Sequence, residues 1–415
     1  MEVKRDRYLD RLIKRKGNGS IKVITGIRRA GKSYLLFRLF RDHLLSTGVD
    51  EGRIIAIALD DYRNVQYRDK DALFRYVTDR IGDGRGPFFL FLDEVQLIEG
   101  FEDVVNGFRH IEGLDVYITG SNSRFLSTDI VTEFRGRGDE VRIWPFSYAE
   151  SLAAYDGPDS WQRYYTFGGM PELLAREDDE QKIAYLQALV KNTYIKDIID
   201  RNDVRDLEEM DALVDFLCSA IGSLVNPLKI SNALKSAQHR GISSATVGRY
   251  LGFLEDAFLF EKSKRYDVKG KRYFDTTSKY YVTDVGLRNA RLQFRQQEES
   301  HIIENIIYNE LRSRGYMVDV GVVKSREARG DRQEYRQLEI DFVANKGAMK
   351  YYIQSAFRIQ SEEKRHQEER SLLAANDAFK KIVVVGEDIY PRRDEKGLLT
   401  IGVRQFLLDE GSLDL

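Results

Sequence analysis

A glycine-containing octapeptide, residues 26–33, constrains the fold of this chain more than any other feature of its sequence. It fits the pattern GxxxxGK[ST], with an apolar run before it and an amphipathic segment after it. Glycines let a loop turn tightly enough for successive backbone N–H groups to point at one anion, and a following helix N-terminus adds partial positive charge. A chance match is the alternative, and the flanking strand and helix patterns argue against it. The residues predicted to bind a nucleoside triphosphate are Gly26, Ile27, Arg28, Arg29, Ala30, Gly31, Lys32, Ser33 and Tyr34.

Two acids, Asp93 and Glu94, follow a run of apolar residues at 88–92 that suits a strand buried on both faces of a parallel sheet. Ligands of such sheets lie beyond the carboxyl ends of the strands, where the octapeptide must also lie. The predicted roles are therefore those of a phosphate site: Lys32 contacts the β- and γ-phosphates, Ser33 and Asp93 ligate magnesium, and Glu94 is the general base for water. An exposed acidic turn that caps the next helix is the alternative, and the pairing with the phosphate loop makes it the weaker one.

Two further segments carry candidate groups for hydrolysis. A strand pattern at 116–119 ends in a turn where Ser121 or Asn122 would sense the γ-phosphate or place the water, unless this is an ordinary Ser/Asn turn. Residues 134–138 contain Arg135 and Arg137, which suit stabilisation of transition-state charge, often from a neighbouring subunit. A surface ion pair is an equally acceptable interpretation of these arginines.

The order of these motifs, followed by Trp-Pro-Phe-Ser-Tyr-Ala-Glu at 144–150, resembles the prokaryotic AAA+ ATP-binding proteins that carry a C-terminal domain of unknown function. Residues 167–172 also resemble the Gly-Gly-x-Pro element of those proteins, so the resemblance spans nearly the whole chain. It implies an AAA+ P-loop domain and an arginine-finger role for Arg137, with Arg135 as substitute. The resemblance assigns ATP and magnesium to Lys32, Ser33, Asp93 and Glu94.

Composition bounds the remaining possibilities. The charged fraction is 32% but the formal net charge is only −2, so any basic surface for nucleic acid must be local. The single cysteine, Cys218, cannot form an internal disulfide and fits a reducing compartment, where its apolar neighbours favour a buried thiol. The N-terminus lacks the pattern of a signal peptide, and no uncharged apolar run is long enough to cross a bilayer. We therefore expect a soluble cytoplasmic protein without membrane contact.

The middle of the chain is predicted to be helical. Residues 151–222 resemble the helical lid of AAA+ modules, and residues 223–295 have the outline of a winged helix-turn-helix that ends in a hairpin. Residues 229–289 contain 12 Lys or Arg against 6 Asp or Glu. The excess suits contacts with DNA phosphates, but a protein-docking module or a solvated hairpin would show it too. The basic residues of the hairpin are Lys262, Lys264, Arg265, Lys269, Lys271 and Arg272.

The last region, residues 296–415, resembles the PD-(D/E)xK nuclease core. Metal-dependent phosphodiester cleavage needs two carboxylates for magnesium and a lysine to orient water or stabilise charge. Glu304 and Asp341 match the carboxylate positions, and Gln354 stands at the third position, but Ala356 occupies the place of the lysine. We therefore predict a nuclease-like fold with lost or severely reduced cleavage activity, which would bind nucleic acid or mediate assembly.

Together these features predict an α/β protein with four regions. They are an AAA+ P-loop ATPase core (1–150), a helical lid (151–222), a winged helix-turn-helix (223–295) and a restriction-endonuclease-like α/β domain (296–415). The predicted function is an ATPase that uses Mg-ATP to move the C-terminal regions, with action on DNA and homo-oligomers as further expectations. Two alternatives stay open: a nucleotide-controlled DNA-binding switch with slow turnover, and a magnesium-dependent nuclease.

Overall fold

A computed structural model describes residues 3–84, 86–120, 138–153, 155, 157–238, 242–295, 298–329, 332–359 and 361–415. The chain divides into two compact units. One consists of Met1–Pro145 with Asp256–Phe258, and the other of Phe146–Glu255 with Leu259–Leu415. Nowhere in the described ranges does a helix have both the length and the apolar character needed to span a membrane.

The first unit is built on a five-stranded sheet in the order β2-β3-β4-β1-β5, in which every neighbouring pair is parallel. The apolar runs of the sequence explain the central position of β1 and β3, whose residues are all buried. The strands are β1 (Ile21–Thr25), β2 (Ile54–Ala58), β3 (Phe88–Asp93), β4 (Leu114–Thr119) and β5 (Gly138–Arg142).

Helices pack on this sheet and form the core of the first unit. On one face, Leu90 and Leu92 of β3 join a buried cluster with Leu73 and Val104 from two helices. Phe91 points to the opposite face, where its ring packs against Phe40. The helical segments are α1 (Asp6–Arg15), α2 (Lys32–Tyr34), a π-helix (Leu35–Phe40), α3 (Arg41–Ser46), α4 (Lys70–Ile81) and α5 (Phe101–Arg109), with short 3₁₀ segments at Glu51–Arg53, Tyr62–Arg68 and Val95–Leu97.

The second unit begins with a predominantly helical part. Its helix over residues 179–201 consists of two α-helices joined by a π-helix, Leu189–Ile195. An Asp side chain caps two of these helices, Asp178 the one that begins at Asp179 and Asp206 the one that begins at Leu207. The α-helices are α6 (Tyr148–Ser151), α7 (Ser160–Phe167), α8 (Asp179–Ala188), α9 (Lys196–Arg201), α10 (Leu207–Ser219), α11 (Pro227–Gln238) and α12 (Ser244–Asp256), and a 3₁₀ segment spans Pro171–Ala175.

The rest of the second unit contains an eight-stranded mixed sheet in the order β12-β13-β11-β10-β9-β8-β6-β7. Helices pack against it, and Leu372 and Val383 belong to one of its buried clusters. Its elements are β6 (Phe260–Asp267), β7 (Arg272–Val282), α13 (Val285–Arg291), α14 (Glu299–Ser313), β8 (Met317–Arg329), β9 (Arg332–Lys346), β10 (Met349–Ala356), α15 (Glu362–Ala374), β11 (Lys380–Val385), β12 (Arg392–Arg393), β13 (Leu399–Gly402) and α16 (Val403–Leu408).

The β6–β7 hairpin is not a free wing. Its two strands pair antiparallel, and β6 also pairs in parallel with β8 through residues 265–267 and 320–322. An isolated bridge joins Val225, just before α11, to Ser278 of β7. The hairpin predicted from the sequence is therefore present, but it forms one edge of the large sheet.

Candidate functional site

The phosphate-loop motif forms the connection between β1 and α2. Gly26 adopts a φ of 133°, and a Cβ at this position would lie 2.1 Å from the carbonyl oxygen of Ile143. Only glycine fits such a close approach, because any side chain would collide with that backbone. Ile27 and Ala30 are buried, whereas the Arg29 side chain is exposed. The loop is therefore anchored on its apolar residues and held tightly against the chain that follows β5.

Lys32 lies inside this loop with only 5% of its surface exposed. Its Nζ donates to the carbonyl oxygens of Gly26 at 3.0 Å and Ile27 at 3.2 Å. Burial lowers the pKa of Lys32 to about 8, against the opposing effect of Glu94 and Asp93. The ammonium is thus charged at neutral pH and sits where an anion held by the loop would meet it.

Asp93 stands at the end of β3 and is 4% exposed. Its carboxylate accepts hydrogen bonds from the hydroxyl groups of Ser33 and Thr119. Burial raises the pKa of Asp93, and these two hydrogen bonds oppose the rise. The hydroxyl and the carboxylate predicted to ligate magnesium are therefore adjacent, and hard oxygen donors of this kind suit that ion.

Glu94 has a left-handed backbone conformation with a φ of 53°. For a residue other than glycine this conformation costs roughly 1–3 kcal/mol and is concentrated at functional sites. The Glu94 backbone N–H points to the Thr119 hydroxyl oxygen at 3.4 Å, and its carboxylate accepts a hydrogen bond from the Gln96 side-chain amide. Both predicted acids are thus fixed by neighbours at the carboxyl end of β3.

Sequence reasoning missed Thr119 and Gln96. Thr119 ends β4, which neighbours β3 in the sheet, so its hydroxyl reaches Asp93. The sequence shows that a polar residue ends this buried strand, but only the strand order shows that Thr119 lies beside Asp93. Four predicted residues lie outside the described part of the chain: Ser121, Asn122, Arg135 and Arg137.

The basic residues of the β6–β7 hairpin differ in their surroundings. Arg265 is partly buried and donates to Thr277 at 3.3 Å and Gln337 at 3.2 Å. Arg272 is exposed, and its Nε lies 3.8 Å from an Asp267 carboxylate oxygen. The exposed lysines are Lys262, Lys264, Lys269 and Lys271.

A second polar cluster lies in the large sheet and contains the predicted nuclease-like residues. Asp341 Oδ2 accepts the backbone N–H of Ser355 at 2.9 Å, and the Asp341 N–H points to Gln354 Oε1 at 3.4 Å. Glu304 and Asp341 are brought together by a residue that the sequence did not single out, Lys279 of β7. Ala356 is buried in an apolar cluster.

Lys279 Nζ lies 2.9 Å from Glu304 Oε1, 3.2 Å from Asp341 Oδ1 and 2.8 Å from Glu339 Oε1. Burial would lower the pKa of Lys279, but Tyr281 and the three carboxylates together raise it well above its usual value. Burial also raises the pKa of Glu304 to about 7, against the effect of Lys279. Across the described segments, no group of three or more His, Cys, Asp or Glu side chains is arranged to hold a metal ion.

Two segments of the chain match known protein families. Residues 18–152 match the family described as AAA domain, and residues 158–298 match a domain of unknown function, DUF8612. An uncharacterized protein of Haemophilus influenzae is 34% identical over 414 residues, which is 98% of each chain. The uncharacterized protein MJ1544 of Methanocaldococcus jannaschii is 29% identical over 379 residues, covering 87% of this chain and 79% of that protein.

Among solved structures, the Aeropyrum pernix ORC1 protein in complex with DNA covers 71% of this chain and 93% of its own, at 13% identity and a TM-score of 0.31. That TM-score is too low for the structure to inform the fold or the function of this chain.

Proposed function

We propose that this chain, which belongs to one family with the Haemophilus influenzae protein and matches the AAA domain family at residues 18–152, binds and hydrolyses Mg-ATP at residues 26–34. The observation that carries the proposal is the contact between the Ser33 hydroxyl and the Asp93 carboxylate. The two residues belong to separate sequence motifs, and the parallel sheet brings them to one point beside the phosphate loop.

Ser33 and Asp93 would hold magnesium, which when bound with ATP offsets charge that develops on the phosphate oxygens. Lys32 would exchange its two loop carbonyl partners for phosphate oxygens, so its buried ammonium would stabilise the same charge. Glu94 would accept a proton from the attacking water, which approaches the γ-phosphate in line with the leaving group.

Two further catalytic roles are proposed from the sequence alone. Asn122 would position the water or sense the γ-phosphate, and Arg137 would act as an arginine finger from a neighbouring subunit. The second role requires a homo-oligomer. Comparing the sedimentation of the chain with and without a non-hydrolysable ATP analogue tests it, and a monomer in both conditions would remove Arg137 from the mechanism.

We further propose that hydrolysis drives conformational change in the second unit, which would act on DNA through the exposed lysines of the β6–β7 hairpin. Their charge suits phosphate contacts. Strong stimulation of ATP turnover by DNA, reduced when Lys262, Lys264, Lys269 and Lys271 are all replaced by Gln, is the expected result. A rate of ATP turnover that DNA does not change would argue against action on DNA.

A nucleotide-controlled switch with slow turnover is a second candidate. It is favoured by the hydrogen bond that holds the Glu94 carboxylate to Gln96, since a restrained base would slow attack by water. Gln96→Ala should then speed hydrolysis without tightening nucleotide binding. Slower hydrolysis in this variant would instead make Gln96 a positioning residue of an efficient ATPase.

Lys32→Ala tests the proposed site directly. The variant should lose nucleotide binding and turnover, because it removes the buried ammonium that neutralises the phosphates. Lys14→Ala is the matched control, since Lys14 is an exposed lysine of α1 in the same unit. Unchanged ATP hydrolysis by Lys32→Ala, measured by phosphate release, would refute the assignment.

A further inference from the structure

The Lys279 ammonium has an unusual position for a lysine side chain. It is 3% exposed, and each of the three carboxylates around it lies within 3.2 Å. The carboxylates come from two elements, Glu304 from α14 and Glu339 with Asp341 from β9, while Lys279 comes from β7. Two of these contacts are hydrogen bonds, to Glu304 and Asp341, and the third is an ion pair with Glu339. Lys279 is thus the cation around which these acids are gathered.

The surroundings of Glu304 enclose this cation. Tyr281 donates a hydrogen bond of 2.7 Å to Glu304 Oε1, and the Tyr281 ring stacks on Tyr308 at a centroid distance of 4.1 Å. On the other side, a Cβ placed on Gly222 would lie 3.0 Å from Glu304 Oε2, so the turn at this glycine closes against the carboxylate. Approach to the Glu304 oxygens is therefore restricted by both neighbours.

We infer that the Lys279 ammonium holds the place of a divalent cation in a site formed by Glu304, Glu339 and Asp341. The native chain accordingly binds no divalent cation at this site, and removal of Lys279 opens it to one. The inference concerns the second unit alone and goes beyond the proposed ATPase function.

The distances are compatible with an ammonium in the place of a divalent cation. Carboxylate oxygens coordinate Ca²⁺ at about 2.3–2.6 Å, whereas they surround the Lys279 nitrogen at 2.8–3.2 Å. Inward movements of roughly half an ångström would convert the ammonium site into a cation site. The charges agree as well, because three carboxylates around one ammonium carry more negative charge than Lys279 neutralises. A divalent ion would match them better once the lysine side chain had been removed.

An ammonium in the cation position adds a second reason to expect little or no cleavage. Ala356 removes the lysine expected at the end of β10, but Lys279 brings another ammonium to the same carboxylates. That ammonium sits between Glu304 and Asp341, where the metal of a nuclease-like site would have to be. The predicted loss of cleavage then follows from occupation of the cation position as well as from the loss of a lysine.

Counting bound Mn²⁺ on the full chain tests the inference. Free Mn²⁺ is measured by electron paramagnetic resonance without nucleotide, for the wild type, Lys279→Ala, Asp341→Ala, the double variant of these two, and Lys279→Arg. Lys279→Ala should bind one more Mn²⁺ than the wild type, the double variant should lose it, and Lys279→Arg should match the wild type. A folded Lys279→Ala that gains no Mn²⁺, or a wild type that loses Mn²⁺ on Asp341→Ala, would overturn the inference.

Folding of the variant is a second readout, because Lys279→Ala leaves three carboxylates without their cation. If the variant is unfolded in metal-free buffer, Mn²⁺ should restore its far-ultraviolet circular dichroism, and should fail to do so in the double variant. No recovery with Mn²⁺ would count against the inference. Repeating the count for Lys279→Ala in a Lys32→Ala background separates the two proposals, since loss of nucleotide binding should leave the gain of one Mn²⁺ unchanged.

Discussion

Replacing Thr119 by Val should weaken the productive binding of magnesium with ATP. Thr119 is fully buried, and its hydroxyl donates to the Asp93 carboxylate while lying near the Glu94 backbone N–H. A hydrogen bond to a charged group contributes about 1.5–3 kcal/mol, and Val retains the shape of Thr without its donor. Each 1.4 kcal/mol is about a tenfold change in an equilibrium constant, so the Mg²⁺ concentration for half-maximal turnover should rise roughly 10- to 100-fold.

The same substitution should make this Mg²⁺ requirement more sensitive to pH. Burial already raises the pKa of Asp93, and the Thr119 hydrogen bond opposes that rise. Without the bond the carboxyl group keeps its proton to a higher pH, and a protonated carboxyl is a poor magnesium ligand. The loss should therefore be greater at pH 6 than at pH 8.

The assay for Thr119→Val is ATP turnover against Mg²⁺ concentration at both pH values, with Thr119→Ser as the control that keeps the hydroxyl. Thr119→Ser should behave nearly as the wild type. If both variants are equally impaired, or if Thr119→Val needs no more Mg²⁺ than the wild type, Thr119 does not act through Asp93.

Three further outcomes follow from the geometry. Glu94→Gln should lower ATP turnover about 10²- to 10⁴-fold, as expected for loss of a general base, with nucleotide affinity retained in a filter-binding assay. Asp115→Ala should lower the free energy of unfolding, measured by urea denaturation, by roughly 3–5 kcal/mol, because it leaves the fully buried Lys22 ammonium without its carboxylate. Glu51→Ala, which breaks an exposed ion pair, should lower it by at most about 1 kcal/mol. Burial raises the pKa of Asp284 from 3.8 to about 6, so the folded state binds the proton of this carboxyl group more tightly than the unfolded state does. Protonation of Asp284 therefore stabilises the fold by roughly 3 kcal/mol at low pH, and this contribution should disappear as pH rises from about 4 to 6. Asp284→Asn should flatten that part of the pH dependence of unfolding; an unchanged profile would contradict the shift.

The phosphate loop was predictable because its determinants are local. The pattern at 26–33 lies in contiguous residues, and the apolar run before Asp93 is typical of a central strand, so both could be placed at the same sheet edge. The prediction of an AAA domain is supported for residues 18–152, which match that family. The individual roles of Lys32, Ser33, Asp93 and Glu94 stay predictions, with geometry that supports them.

What the sequence could not provide depends on contacts between distant segments. Thr119 became relevant only when β4 was found beside β3, and Lys279 only when β7 was found to reach both α14 and β9. No local periodicity encodes that a lysine in a hairpin will meet carboxylates elsewhere in the chain. The parallel pairing of β6 with β8 is a similar case, since its strands are far apart in sequence and lack a connecting turn.

The Gly-Gly-x-Pro element is explained by packing in the second unit. A Cβ on Gly168 would lie 2.1 Å from Asp284 Oδ1, and a Cβ on Gly169 would lie 2.0 Å from the Phe146 carbonyl oxygen. The Gly169 N–H donates to Asp284 Oδ2 at 2.7 Å, while the same carboxylate caps α13 by accepting from the Leu287 N–H at 3.2 Å. The glycines let the backbone approach a buried acid that joins this loop to the start of α13. A motif that looks functional in sequence is thus accounted for by close backbone packing, and it requires no ligand to explain its two glycines.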